Sequence, residues 1–225
     1  MIEKNYYKQK LNSQKLFEVY ETKIPRIKQY LDAEISFVRD NLTGSERVLE
    51  LGAGYGRIVK ELSGNCKSIV GIDISEESAS LGKEYLKDCP NAEIIAMDVH
   101  NLTFEKKFDV ILCLQNGLSA MRVTSLDSIE KIFEMVESGG KVYFSTYSEK
   151  FWEYRLMWFQ EQAEKGLLGK LDLDKTKDGV IICEDGFSAR THTQKDLEII
   201  GSKSGYEYQI KEVDESSLFL IIHKK

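Results

Sequence analysis

Val48-Leu49-Glu50-Leu51-Gly52-Ala53-Gly54-Tyr55-Gly56 is the stretch on which the reading of this chain turns. An apolar run carries an acid near its end, three glycines follow at every second position, and a helix opens near Arg57. A strand, a glycine loop and a helix in succession let a ligand lie against bare backbone and offer it free N–H groups. Glu50 narrows the choice of ligand. A dinucleotide would bring a pyrophosphate, which a carboxylate repels, whereas a ligand bearing positive charge would be attracted. The dinucleotide fingerprint G-x-G-x-x-G, begun at Gly52, also requires glycine at position 57, where Arg stands.

Working outward, two helices are predicted over 8–22 and 26–42, broken at Pro25, the second with an apolar stripe through Leu31, Ile35, Val38 and Leu42. Strands and helices then alternate. Strands are predicted at 47–51, 68–74, 93–97, 108–114 and 141–146. Helices are predicted from 57 to 62, over 76–87 with Ser75 as N-cap, and over 125–136 up to Gly139-Gly140. The strands are almost continuously apolar, as in a parallel sheet covered on both faces. The rhythm breaks over 148–191, where an aromatic helix (151–165) precedes a hairpin pairing 170–173 with 180–184. It resumes with a helix over 193–203 and strands at 206–213 and 217–223. Only Asp214-Glu215-Ser216 joins these last two, so they must be antiparallel.

The pattern E-x-G-x-G-x-G resembles motif I of the class I S-adenosylmethionine-dependent methyltransferases, of the small-molecule type. The resemblance implies an α/β fold: a Rossmann-like, seven-stranded, mostly parallel sheet with an antiparallel last strand and helices on both faces. Its extent suggests three parts: an N-terminal helical lid (1–44), a cofactor-binding domain (45–147 and 192–225) and an inserted substrate cap (148–191). Ligands of open α/β sheets sit beyond the carboxyl ends of the strands. There the resemblance assigns the motif residues Glu50, Gly52, Ala53, Gly54, Gly56 and Arg57 to S-adenosyl-L-methionine. It gives Asp73, at the end of the second strand, the ribose diol, with Ile74 packing on the adenine. It gives Asp98 the adenine amino group, with Met97 and Val99 lining the ring. Leu114, Gln115 and Asn116 match the place where the family holds the methionine part and meets the acceptor. Asp73 and Asp98 could each merely cap a turn. Three carboxylates ending successive strands that converge would, however, repel one another without a ligand.

The acceptor is expected to be a small molecule met by residues outside the sheet. Tyr6, Tyr7, Tyr147 and Trp152 are candidates for an aromatic lid, and Arg155 and Arg190 for an anionic substrate group. Most of the aromatic residues of 151–159 would equally serve to dock the inserted helix. A base is needed only if the nucleophile arrives protonated. Tyr147, His100, His192 and Glu184 are in range, and none is assigned.

Of 225 residues, 31 are Lys or Arg and 37 Asp or Glu, a net charge of −6 that argues against a broad nucleic-acid face. The amino-directed DNA enzymes resemble one another in an Asn/Asp-Pro-Pro-aromatic motif after the fourth strand. Gln115-Asn116-Gly117-Leu118 stands there instead. No second carboxylate accompanies Asp98, so metal-free transfer is expected. Four scattered cysteines without a C-x-x-C pair, no secretory h-region and no run of transmembrane length point to a cytoplasmic protein with no membrane partner. A nicotinamide-dependent oxidoreductase and a non-catalytic cofactor-binding module are the competing readings. The first is opposed by Glu50 and Arg57, the second by the intact loop and its carboxylates.

Overall fold

The computed structural model describes residues 6–225. The first five residues of the expected N-terminal lid therefore lie outside the described residues. Three helices come first: α1 (Tyr6–Gln9), α2 (Ser13–Tyr20) and α3 (Pro25–Arg39). Then follow β1 (Arg47–Leu51), α4 (Arg57–Ser63), β2 (Ser68–Asp73), α5 (Glu76–Tyr85), β3 (Ala92–Ala96), β4 (Phe108–Cys113), α6 (Gly117–Ala120), α7 (Leu126–Glu134) and β5 (Val136–Tyr147). Next come α8 (Trp152–Glu164) and the short strands β6 (Val180–Ile182) and β7 (Ser188–Arg190). The chain closes with α9 (Gln194–Lys203), β8 (Glu207–Val213) and β9 (Ser217–His223).

Seven strands form one sheet in the order β3-β2-β1-β4-β5-β9-β8. The pairs from β3 to β5 are parallel, and β9 runs antiparallel to both β5 and β8. The strand order reverses beside β1, between β1 and β4, which sets the glycine loop at the switch point of the sheet. Ile35 and Val38 of α3, Ile58, Val59 and Leu62 of α4 and Ala79 of α5 cover one face. Ile129, Ile132 and Phe133 of α7 with Leu197 and Ile200 of α9 cover the other. A third apolar cluster lies off the sheet. In it Tyr6, Leu11, Val19 and Tyr30 of the N-terminal helices meet Phe151, Trp158, Phe159, Ile181 and Phe187 of the inserted segment.

Three local readings change. The helix expected over 8–22 is two helices, parted at Ser13, whose φ of 49° breaks the helical path and whose N–H donates to Ser78 Oγ at 2.9 Å. Gly139 and Gly140 do not end α7. They lie inside β5, at an irregularity against β4, where a Cβ on Gly140 would stand 2.8 Å from the Asp109 carbonyl oxygen. The hairpin of the inserted segment pairs β6 with β7, while 170–173 contributes a single bridge, Leu171 to Cys183.

Candidate functional site

Beyond the carboxyl ends of β1, β2, β3 and β4 lies a cavity of about 500 Å³, roofed by the N-terminal helices and the inserted segment. The glycine loop forms its floor. Gly52, Gly54 and Gly56 all have positive φ (71°, 56° and 89°), a conformation that side chains rarely adopt. Ala53 donates its N–H to the Ile72 carbonyl, tying the loop to β2.

Asp73 fixes the loop further. Its two oxygens accept from the N–H of Gly54 (3.0 Å) and of Ser75 (2.9 Å). A carboxylate offers about four lone-pair sites, so each oxygen can still receive a ligand hydroxyl. Asp73 is therefore a turn cap, as its bland reading has it, and still an acceptor facing the cavity. Asp98 likewise caps a short 3-10 turn, accepting from the His100 N–H at 2.9 Å, and also lines the cavity. Ile74, Met97, Val99 and Leu114 line the same wall.

Glu50 is almost wholly buried, and one of its oxygens has no partner among the described residues. Burial pushes its carboxyl up to about 8, Arg57 opposing the rise and Asp73 adding to it. Arg57 lies alongside, its guanidinium 4.5 Å from the centre of the Tyr20 ring, with Nε and Nη2 buried and unpartnered. Gln115 has φ of 53°, donates its N–H to Ser145 Oγ at 2.8 Å, and leaves its Nε2 buried without a partner. Asn116 acts as a brace. Its Nδ2 donates to the Arg190 carbonyl (3.0 Å) and its Oδ1 accepts from Thr146 Oγ1 (2.9 Å), joining the loop after β4 to β5 and β7.

Tyr6, Tyr7 and Tyr147 line the side of the cavity nearest the inserted segment. Tyr6 also latches the N-terminal helices to that segment by donating to Asp185 Oδ2 at 2.6 Å. The remaining candidates are elsewhere. Gly56 sits behind the loop, at the N-cap of α4, where a Cβ would stand 3.0 Å from Ile94 Cδ1. Trp152 packs in the off-sheet apolar cluster and is not part of the wall. Arg155 is fully buried one layer behind the wall, donating to the carbonyls of Gly179 (2.8 Å) and Ala189 (3.0 Å) and to Thr191 Oγ1. The Arg190 side chain points to the surface and pairs with Asp196 at 3.0 Å. Neither arginine meets the cavity, so direct contact with an anionic substrate group is corrected for both.

Of the four candidate bases, Tyr147 and His100 line the cavity. His100 Nε2 lies 3.1 Å from the Met121 carbonyl oxygen, and burial pushes the Tyr147 hydroxyl up to about 12. Glu184 is exposed, and His192 is buried away from the wall. Sequence reasoning missed Leu16 and Tyr20 of α2. A Cβ on Gly54 would stand 2.4 Å from Leu16 Cδ2, so α2 sits directly on the glycine loop. Leu16, Val19 and Tyr20 stand at i, i+3 and i+4, a spacing that marks a helix face but not the surface it covers. Among the described residues no group of three or more His, Cys, Asp or Glu side chains could hold a metal ion. No helix of the described residues is long and apolar enough to cross a membrane.

Residues 48–140 match the family model described as a methyltransferase domain. The chain is 32% identical over 107 residues to malonyl-[acyl-carrier protein] O-methyltransferase 1 of Ilyobacter polytropus, a match covering 46% of this chain and 38% of that protein. The chain spans about half the length, or less, of the curated relatives it matches. Among solved structures, an S-adenosylmethionine-dependent methyltransferase from Clostridium acetobutylicum superposes with a TM-score of 0.63 at 17% identity, covering 94% of this chain and 98% of that one. The DhpI-SAM-HEP complex superposes with a TM-score of 0.62 at 19% identity, covering 96% and 93%.

Proposed function

We propose that this chain, which carries a class I methyltransferase domain, binds S-adenosyl-L-methionine in the strand-end cavity and moves its methyl group to a small-molecule acceptor. The observation that carries the reading is the buried, unpartnered oxygen of Glu50 at the tip of β1, in one enclosed wall with Asp73 and Asp98. An orphaned carboxylate oxygen costs stability unless a donor or a cation meets it. The residues present fit the cofactor. Glu50 would meet its cationic part, Asp73 would receive the ribose hydroxyls, and Asp98 would accept from the adenine amino group beside Ile74, Met97 and Val99. Leu114 and Gln115 would hold the methionine end, with Asn116 bracing them. The cofactor supplies a methyl group already activated on a sulfonium.

What the protein adds is position and dryness. The cavity is closed by α1 and α2 from one side and by the inserted segment from the other. In this reading 1–44 is a lid and 148–191 a substrate cap over the domain of 45–147 and 192–225. Both keep water from the reacting centres and align the acceptor behind the methyl carbon. A cavity of this size suits a small molecule, and five of the curated relatives matched over similar lengths are O-methyltransferases, four of them of ubiquinone biosynthesis. The acidic net charge disfavours nucleic acid, and the scattered thiols suit a cytoplasmic setting.

Two measurements test this. Calorimetry should show S-adenosylhomocysteine binding and NAD not binding; the reverse order would make the chain a nicotinamide enzyme. Labelled methyl from the cofactor should then appear in a product identified by mass in a cell extract. Binding without any turnover across metabolite pools would make it a cofactor-binding module.

A further inference from the structure

The buried Arg155 is the largest fully buried side chain described, and its charge is unbalanced. It donates to two carbonyls and a hydroxyl, its Nε has no partner, the hydroxyls of Tyr147, Tyr30 and Tyr7 are its electrostatic neighbours, and no carboxylate of a described residue pairs with it. A buried cation without an anion is strongly disfavoured, so its retention calls for a reason beyond packing. Its guanidinium lies 4.6 Å from the Tyr147 ring centre and 5.5 Å from that of Phe159, and both rings line the cavity. A cation on the hidden face of a ring draws down that ring's electron density, and the open face becomes less repellent to negative charge.

The charges in the wall are sorted accordingly. The carboxylates that line the cavity are Glu50, Asp73 and Asp98, all at the strand ends. Tyr6, Tyr7, Tyr147, Phe159 and Phe187 make up an aromatic lobe of the wall; Arg155 lies against two of those rings, and Asp185, which accepts from the Tyr6 hydroxyl, stands outside the lining. Such a lobe accepts a flat, unsaturated molecule by its rings and disfavours a cation on it.

We propose that the acceptor lobe takes an aromatic carboxylate, and that Arg155 sets this preference through the rings of Tyr147 and Phe159. The inference rests on the methyltransferase reading for the fate of that group. The new oxygen–carbon bond forms from an oxyanion lone pair as the sulfur–carbon bond breaks, its electron pair staying on sulfur. The two opposite charges cancel and no proton moves. Such a transfer needs no base, so neither His100 nor Tyr147, which both line the cavity, is required as one. Arg155 touches no acceptor; it is a positioning residue acting through two rings.

The test is the affinity of the protein, saturated with S-adenosylhomocysteine, for benzoate, benzyl alcohol and benzylamine, which differ mainly in charge. Benzoate should bind about tenfold more tightly than benzylamine, as expected for a partly screened charge one ring away. Arg155→Gln should lose that preference and keep its affinity for benzyl alcohol, while Arg155→Lys, which keeps charge but not the fork, should retain it. A purely structural Arg155 would lower all three affinities together. Benzylamine binding as tightly as benzoate to the native protein overturns the proposal even if Arg155→Gln fails to fold. So does an unchanged preference in a folded Arg155→Gln. Failure of S-adenosylhomocysteine to bind would instead strike the function proposed above, since the charge preference can be measured without it.

Discussion

Replacing Glu34 by glutamine should stabilise the protein in mild base and leave it unchanged in acid. Glu34 projects from α3 into the core beneath the cavity and is fully buried. Ser217 Oγ donates to one of its oxygens at 2.7 Å and the other has no partner. Burial pushes its carboxyl from 4.5 up to about 7, against the lowering effect of Ser217, Ser145, the Arg57 guanidinium and the Gln115 N–H. The titratable groups around it are Tyr30 on its own helix, Tyr20 on α2, Arg57 on α4 and Tyr147 on β5. Between the unfolded value and about 7 the folded chain holds a proton that the unfolded chain has lost. Stability therefore falls as pH rises through that window and levels off above it. At roughly 1.4 kcal/mol per pH unit the loss approaches about 3 kcal/mol. Glutamine keeps an oxygen for Ser217 and never ionises, so E34Q escapes the penalty. Urea unfolding at intervals from pH 4.5 to 8.5 should show the two proteins alike at the acid end. The difference should then widen to about 3 kcal/mol near pH 8, or ~6–12 °C in melting temperature for a chain of this size. A difference that stays flat with pH, or a variant less stable than the native protein at pH 8, would refute the argument.

Asp73→Ala should keep the fold but lower affinity for S-adenosylhomocysteine by roughly 100-fold, the loss of two hydrogen bonds to a charged acceptor; unchanged affinity by calorimetry would remove the ribose assignment. Gly54→Ala should force the Leu16 side chain of α2 aside, because its Cβ meets Leu16 at 2.4 Å, besides straining a φ of 56°. Adding Leu16→Ala should recover part of the lost stability, and strict additivity of the two changes in thermal melts would contradict the contact. Tyr6→Phe removes the latch to Asp185 at a cost of about 1–2 kcal/mol locally, so amide exchange should quicken in α1 and α2 while the central sheet is unaffected.

The sheet could be read from the chain because its information is local and periodic. Apolar runs at 47–51, 68–74 and 108–114 each sit between turn signals, and a three-residue link at 214–216 leaves the last pair no choice but antiparallel. The strand-end carboxylates followed from the same register, since parallel strands bring their ends to one edge. What closes the cavity was not legible, because it depends on contacts between elements distant along the chain. Leu16 on Gly54, Tyr6 on Asp185 and Trp158 on the Val19 carbonyl join elements that no spacing relates. Arg155 shows the limit most plainly. As a residue type it suits an anion, and position alone does not say that its N–H groups hold β7 and the turn before β6 in place.

The polar atoms left unpaired add something that neither sequence nor fold supplies alone. Of the eight described side chains with a buried atom lacking a partner, Glu34, Glu50, Arg57, Gln115 and Arg155 lie in or just behind the wall of one cavity, and Tyr30, Glu161 and His192 are the others. Apolar replacements of similar volume would satisfy the fold better, because an unpaired buried charge costs more than packing returns. Those five place an energetic deficit where a ligand of mixed charge can remove it. Ligand binding should therefore raise stability by more than the hydrophobic contact alone would, and an uncharged fragment such as adenosine should recover only a small part of that gain.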